Sequence, residues 1–302
     1  MRASRSVSLL AGISLCAVGS GCGSQQAADD GRDVPADRSR QVAMAWDGSP
    51  AAAAWRSGYH PMAEAVQLPR GGLRSEADRR AYESRSFVLR GGLPGAGPKY
   101  GRVTWAGGES VTRPLVGADE SYETMAGPRN DTLAGPTNNK KEAHLTVTGA
   151  KLGEMSLATS RGPATVPAWL FELDGYATPL KQAAAVPSSS PRPPIRPTRD
   201  LPGYPVDQLV RITADGRSVT VVALHGVCDD GPVVGVLETR GSVVLSASVK
   251  GHEDGGNCTK QAKMQQVTVK LERPVGDRVL LDAHTGRPVV YKGLRTIPPT
   301  GS

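Results

Sequence analysis

Apolar and polar residues alternate along most of the chain, which predicts strands. In the first half this period of two recurs in short runs between turn residues: Ser86–Leu89, Arg102–Trp105, His144–Thr148, Met155–Ala158 and Thr165–Leu173. Ser75–Ser84 is the best helix candidate, because Ser75 can serve as an N-cap and acidic residues follow it. The polar stretch 106–139 is rich in turn residues, so we predict a mobile loop within it.

The last third of the chain has the most regular strand pattern. Leu209–Thr213 and Ser218–Leu224 flank an Asp-Gly turn, which is typical of a β-hairpin. Further runs follow at intervals of about 8–12 residues: Val233–Leu237, Val243–Val249, Gln266–Leu271, Arg278–Leu281 and Pro288–Tyr291. Short strands at this spacing predict a β-sandwich.

Two polar segments divide the chain. Residues 187–204 are rich in proline and serine without apolar periodicity. They predict an extended linker, with a PxxP ligand for an SH3-like groove as the weaker alternative. Residues 22–60 begin with almost no large apolar side chains and predict a flexible tether. Its Ala-rich part from Val42 to His60 either lies against the body of the protein or stays loose. The expected fold is mostly β, with β-rich lobes at 61–186 and 205–293 and a flexible tail at 294–302.

The first 24 residues have the pattern of a bacterial lipoprotein export signal. Arg2 and Arg5 precede the apolar run Val7–Val18, and small residues lead into Cys22. The run is too short to cross a bilayer about 30 Å thick. We therefore expect residues 1–21 to be removed and Cys22 to be lipidated, which anchors the protein to the outer face of the cell membrane. Gly19 stands where lipoprotein signals commonly have an aliphatic residue, so ordinary secretion is the alternative.

Charge excludes one class of partner. The formal net charge of +7 falls to +5 when Arg2 and Arg5 leave with the signal. This excess is mild, and no basic run with interleaved aromatic residues occurs, so we predict no nucleic-acid binding. A mixed soluble surface is the simpler interpretation of this charge. Attraction to anionic lipid or to teichoic-acid-like polymers is the alternative.

Two cysteines, Cys228 and Cys258, remain after processing. In an oxidising compartment such a pair predicts a disulfide. It would close a loop of about 30 residues and stabilise the C-terminal sandwich by roughly 3–4 kcal/mol. His225 and His252 precede these cysteines, so a tetrahedral zinc site is a weaker alternative.

Acidic residues flank both cysteines. Asp229 and Asp230 follow the first, and Glu253 and Asp254 precede the second. The disulfide would bring these carboxylates together, and clustered carboxylates are typical calcium ligands. Their spacing matches no EF-hand, so we favour a solvated acidic loop pair and expect no metal or cofactor.

Hydrolase motifs are absent from the sequence. It contains no G-x-S-x-G, no H-E-x-x-H and no S-x-x-K with its usual companions. Gly95–Gly101 superficially resembles a phosphate-binding loop, but Pro98 and the predicted strand after it argue against that function. Trp169 and Phe171 are expected in the core rather than in a sugar-binding platform. Dispersed histidines leave a catalytic triad open, so enzymatic activity is undecided.

Two segments resemble secreted lipoproteins of actinomycetes, a Streptomyces-like family of unassigned function: Thr159–Val186 and Val267–Val289. The resemblance implies an envelope location and a β architecture, and it supplies no catalytic residues. We expect a non-catalytic binding or scaffold module whose partner is a wall polymer or another envelope protein. An enzyme acting on wall polymer or envelope lipid, and an extracytoplasmic sensor, are the alternatives.

Overall fold

Strands dominate the fold and form three sheets. The computed structural model describes residues 33–95, 97–126, 143–251 and 261–292. A seven-stranded sheet forms one lobe, the N-lobe, and two three-stranded sheets form the other, the C-lobe. The mostly β fold class predicted from the sequence is confirmed.

The described residues contain four helices, which occupy the first half of the chain: α1 Asp33–Trp46, α2 Pro50–Ser57, α3 Glu76–Glu83 and α4 Ala118–Ala126. Helix α3 matches the predicted Ser75–Ser84, and the Ser75 hydroxyl accepts a hydrogen bond from the Asp78 amide at 3.0 Å as the N-cap. None of these four helices is long and apolar enough to cross a membrane.

The N-lobe is built around one long hairpin. Its strands are β1 Val66–Gln67, β2 Phe87–Leu89, β3 Tyr100–Trp105, β4 Ser110–Pro114, β5 Leu145–Thr159, β6 Gly162–Leu173 and β7 Leu180–Ala183. Strand β5 pairs with β6 on one side and β2 on the other, and the remaining order is β1-β7-β6-β3-β4. Trp169 and Phe171 of β6 are buried in the core, as predicted. The separately predicted runs at His144 and Met155 belong to the single strand β5.

The predicted loop at 106–139 contains regular structure in its described part. Strand β4 and helix α4 both lie within it. Helix α4 buries Ala118, Tyr122 and Met125 against the core, and its other face is polar. The mobile loop predicted within 106–139 therefore excludes β4 and α4, whose segment is polar on average because a short helix has a single apolar stripe. For residues 127–139 the loop stays a prediction. Residues 127–142 lie outside the described residues.

The C-lobe has the strand pairs that the sequence predicts. Its strands are β8 Gln208–Ile212, β9 Ser218–Gly226, β10 Pro232–Glu238, β11 Ser242–Val249, β12 Ala262–Lys270 and β13 Val279–Asp282. They form the sheets β12-β9-β8 and β10-β11-β13, which share one hydrophobic core. The predicted strand Pro288–Tyr291 consists of two isolated bridges, Leu281 to Pro288 and Leu209 to Tyr291. These bridges link β13 to β8 and so connect the two sheets.

Helices α1 and α2 also belong to the C-lobe. Val42, Trp46 and Trp55 are at most 1% exposed and pack into the C-lobe core. The Trp46 indole donates to the carbonyl of Gly286 at 2.8 Å. The flexible tether predicted over 22–60 is therefore wrong for residues 33–40. Of the two alternatives for 42–60, the structure has the one in which the segment lies against the body, because two tryptophans supply the buried area that composition alone underestimates. The C-lobe therefore contains residues that precede the N-lobe strands in the sequence as well as residues that follow them.

The proline-rich connector is packed onto the C-lobe. We call residues 187–204 the strap. As predicted, the strap contains no helix or strand. It is nevertheless held in place: the amide of Thr198 donates to the carbonyl of His284 at 2.9 Å, and Ile195 and Leu201 contact the core. The segment predicted as an extended linker is thus fixed to the C-lobe, since prolines restrict the unfolded chain and lower the entropy lost on docking.

Replacing Trp46 by alanine tests the docking of α1. We expect Trp46→Ala to lower the free energy of unfolding by about 3–5 kcal/mol, because a fully buried indole and its hydrogen bond are lost. Met44 lies on the same helix and is 79% exposed. Met44→Ala should change the free energy by no more than about 0.5 kcal/mol. Denaturant titration measures both, and equal stabilities of the two variants would contradict the docking.

A buried ion pair fastens the end of β10 to the chain before β13. Arg278 and Glu238 are 5% and 11% exposed, and their side chains meet at 2.8 Å. Burial disfavours the charged carboxylate, but hydrogen bonds from the Glu272 amide, the Arg278 side chain and the Arg273 amide hold the pKa of Glu238 below its usual value. The pair therefore stabilises the fold most when Glu238 is ionised.

The stabilising effect of Glu238 should disappear in acid. A lowered pKa contributes stability above the ordinary glutamate pKa and loses it as pH falls through the folded-state value. We expect Glu238→Gln to cost about 1.5–3 kcal/mol at neutral pH and progressively less below pH ~4. Glu172 pairs with Lys151 at the surface, so Glu172→Gln should cost at most about 1 kcal/mol. Urea titrations across pH test this, and a pH-independent difference would contradict it.

Candidate functional site

A groove of about 720 Å³ lies between the strap and the closing segment of the C-lobe. Ser190–Pro193 of the strap form one wall, and Tyr204–Asp207 and Arg287–Val290 contribute the others. Leu224 of β9 also lines it. We call this feature the strap groove. Its size is in the range of cavities that hold small ligands or short polymer segments.

Asp282 fixes the geometry of the groove. Its carboxylate accepts hydrogen bonds from the Val206 amide at 3.0 Å, the Thr285 amide at 2.8 Å and the Thr285 hydroxyl at 2.6 Å. The turn that follows β13 needs a left-handed residue, and Gly286 supplies it with φ = 65°. Asp282 thereby ties the chain before β8 to this turn, and the groove is formed in advance of any ligand.

The apolar part of the groove is rigid. Four prolines line it: Pro191, Pro193, Pro205 and Pro288. Each has a fixed φ and no backbone N–H, so these walls present apolar surface and few donors. Tyr204 stands beside them with 43% of its surface exposed. An aromatic ring next to prolines can pack against the C–H faces of a sugar or polyol.

The charged part of the groove has an excess of positive groups. Lys292 pairs with Asp207 at 3.3 Å, and Asp282 is buried and engaged as described. Arg192 and Arg287 are exposed, and within the described residues neither guanidinium has an ion-pair or hydrogen-bond partner. Two cationic forks are therefore available to a bound anion.

A second cavity of about 590 Å³ lies on the other side of the strap, against α1. Val34, Asp37, Arg38 and Gln41 of α1 line it together with strap residues. The Arg38 guanidinium is occupied, since it donates to the carbonyls of Ala283 and Arg196 at 3.0 and 2.5 Å. This cavity marks where α1 clamps the strap, and it offers fewer free charges than the strap groove.

The predicted metal-ligand cluster is only partly covered by the described residues. His225 is buried, and the Asp229 carboxylate accepts the Gly226 amide at 2.6 Å within the turn after β9. Asp230 is exposed nearby. The other predicted members of the metal-ligand cluster, His252, Glu253 and Asp254, lie outside the described residues. Within the part that is described, no group of three or more His, Cys, Asp or Glu is arranged to hold a metal ion.

The predicted covalent sites are likewise only partly covered. Cys228 is half-buried in the turn after β9. Its predicted partner, Cys258, lies outside the described residues, so the Cys228–Cys258 pairing stays a prediction. Cys22 also lies outside them, so its lipidation stays a prediction too.

One buried histidine was a candidate for catalysis. His60 stacks on Trp55 with ring centroids 3.8 Å apart, and burial together with the charge of Arg113 lowers its pKa to about 4. The neighbouring Ser160 donates its amide to the His60 carbonyl at 2.9 Å. Among the described residues, however, neither the Ser160 hydroxyl nor His60 Nε2 has a hydrogen-bond partner. The two side chains thus form no nucleophile–base pair, and the Trp55–His60 stack joins the two lobes.

The Gly95–Gly101 segment is followed by strand β3 and not by a helix. The strand predicted after this segment is thus confirmed, and a phosphate loop depends on the N-terminus of a helix.

Sequence reasoning missed the arginines of the groove. Arg192 lies in the segment that was predicted as a linker, and Arg287 stands just before the last predicted strand, Pro288–Tyr291. A signal was present, because Arg192, Arg196 and Arg199 recur within one proline-rich stretch. A flexible spacer does not need repeated arginines, whereas a rigid scaffold that presents positive charges to a ligand does.

Comparisons of the chain with protein-family models, with curated proteins and with solved structures found no match.

Proposed function

We propose that this protein is a lipid-anchored extracytoplasmic binding module of the cell envelope and that the strap groove holds its ligand. The observation that carries the proposal is a pair of guanidinium groups, Arg192 and Arg287, on the walls of a groove lined by prolines; among the described residues neither has a partner. Such a groove combines apolar packing surface with a few placed charges, which is the usual make-up of a binding site.

The residues of the groove favour binding over catalysis. Neither histidine nor cysteine is among its described lining residues. Asp282 is saturated with hydrogen bonds, the Thr285 hydroxyl donates to it, and Asp207 is paired with Lys292. General acid–base chemistry needs a group that is free to exchange a proton with the ligand. The acidic groups here are committed to holding the structure.

The export signal supports a location next to the membrane. Ten residues lie between Cys22 and Asp33, where α1 begins. A chain of that length reaches at most ~40 Å when fully extended. Because α1 packs on the C-lobe, the anchor leads directly to the lobe that carries the strap groove. We therefore propose an envelope polymer close to the membrane as the ligand.

The anchor is tested by the mass of the protein. In an actinomycete host we expect the intact chain from the membrane fraction to begin at Cys22 and to carry a diacylglyceryl group, since two acyl chains give stable anchoring. Cys22→Ala should lose this mass increment and escape processing. A chain cleaved elsewhere without lipid would overturn the anchored part of the proposal.

The binding function is tested by photo-crosslinking in the native envelope. The photoreactive residue p-benzoylphenylalanine replaces Tyr204 in the groove or, as a matched control, Tyr100 on β3, which is 64% exposed and lies outside the groove. We expect irradiation to join an envelope component to the chain labelled at position 204 and not to the control.

Mass spectrometry of the captured adduct separates the outcomes. An intact envelope component on position 204 supports the binding module. Equal labelling of both positions, or none at either, would contradict it. Turnover of the captured component by the purified protein would favour the enzyme alternative instead.

A further inference from the structure

We infer that the strap groove recognises phosphate, presented as a diester along a polyol chain. The inference rests on the proposed function and specifies the chemistry of its ligand. It starts from the two groups that the fold leaves without partners, the guanidinium groups of Arg192 and Arg287.

The two guanidinium groups argue for a ligand that carries more than one anionic group. Each guanidinium carries five N–H donors in a planar fork. One fork forms a bidentate pair with the two charged oxygens of a single phosphate diester or carboxylate. Two forks on the walls of one groove therefore fit a chain with successive anionic groups, and a phosphodiester polymer presents one at each repeat. The only other cation on the lining, Lys292, is already paired with Asp207.

The rest of the lining argues for a polyol between the phosphates. A free phosphate ion would leave most of the 720 Å³ unfilled. The proline walls and Tyr204 offer surface for C–H groups, while an acyl chain would need a more enclosed and apolar site. A glycerol or sugar unit has C–H faces for this surface and hydroxyls for the solvent side.

The acidic groups that face the groove do not oppose this ligand strongly. Asp207 is neutralised by Lys292, and the buried Asp282 carboxylate accepts three hydrogen bonds and faces Arg38. The two exposed arginines thus determine the sign of the potential at the open side of the groove. An anion approaching from solvent meets them first.

The phosphate diester has two sources in an envelope: a lipid headgroup and a wall polymer. Soluble probes distinguish them. Glycerophosphoglycerol reproduces the headgroup of phosphatidylglycerol, and a synthetic glycerol-phosphate oligomer reproduces a polymer segment. We propose calorimetric titration of the full-length protein in neutral detergent with each probe. A groove of this volume should bind the oligomer more tightly than glycerophosphoglycerol. Equal affinity per phosphate for the two probes would instead identify the lipid headgroup as the source.

The variants test the arginines directly. Arg192→Ala/Arg287→Ala should weaken binding of the oligomer at least about tenfold, because charge-assisted hydrogen bonds are lost from both forks. Arg199→Ala/Arg240→Ala removes the same charge from exposed positions outside the groove and should leave affinity unchanged. Arg192→Lys/Arg287→Lys keeps the charge without the fork, and we expect only partial recovery.

The results separate this inference from the proposed function. Binding that is unaffected by the loss of Arg192 and Arg287, or equally weakened by the control pair, overturns the inference. Failure of both probes to bind also overturns it, and capture of an uncharged component at Tyr204 would then leave the binding module standing. Arginine-dependent binding by a chain that proves to be unlipidated would keep the phosphate site and remove the anchor.

Discussion

The docking of α1 onto the C-lobe supports most of what lies around it. Trp46 fills the core and fixes the carbonyl of Gly286, while Arg38 fixes the carbonyls of Ala283 and Arg196. These contacts hold the turn after β13 on one side and the strap on the other. Without them the strap would lose a clamp, and the groove that it borders would lose the support of one wall. A helix close to the proposed anchor thus determines the shape of a site formed far along the sequence.

The strap shows how a segment without regular structure can be well ordered. It has no helix or strand, and much of its surface is exposed. Its order comes from prolines, which have little conformational freedom to lose, and from a few anchoring contacts at Ile195, Thr198 and Leu201. Rigidity of this kind suits a binding wall, since arginines on a stiff backbone pay less entropy when a ligand arrives.

The strands could be predicted because their signal is local. The alternation in β8 and β9 and the turn between them lie within a few residues, and the N-cap of α3 is equally local. Helix α1 escaped prediction because its stability depends on Trp46 meeting Gly286, 240 positions away. The strap groove was missed for the same reason. In the sequence, Arg192 and Arg287 look like ordinary surface residues. They line one groove only because the topology brings their segments together, and no local pattern of hydrophobic residues predicts that contact.

The division of the C-lobe between the two ends of the chain also bears on how the protein would fold during the export proposed above. A chain that crosses the membrane from its N-terminus delivers α1 and α2 first, then the whole N-lobe, and the β-strands of the C-lobe last. The N-lobe can complete its sheet as it emerges, since all of its strands lie between residues 66 and 183. The tryptophans of α1 and α2 would stay exposed until β13 has crossed the membrane, because the core that buries them is incomplete until then. The early helices are thus the part of the protein for which a delay in secretion is most dangerous, and the part that an envelope chaperone would need to shield.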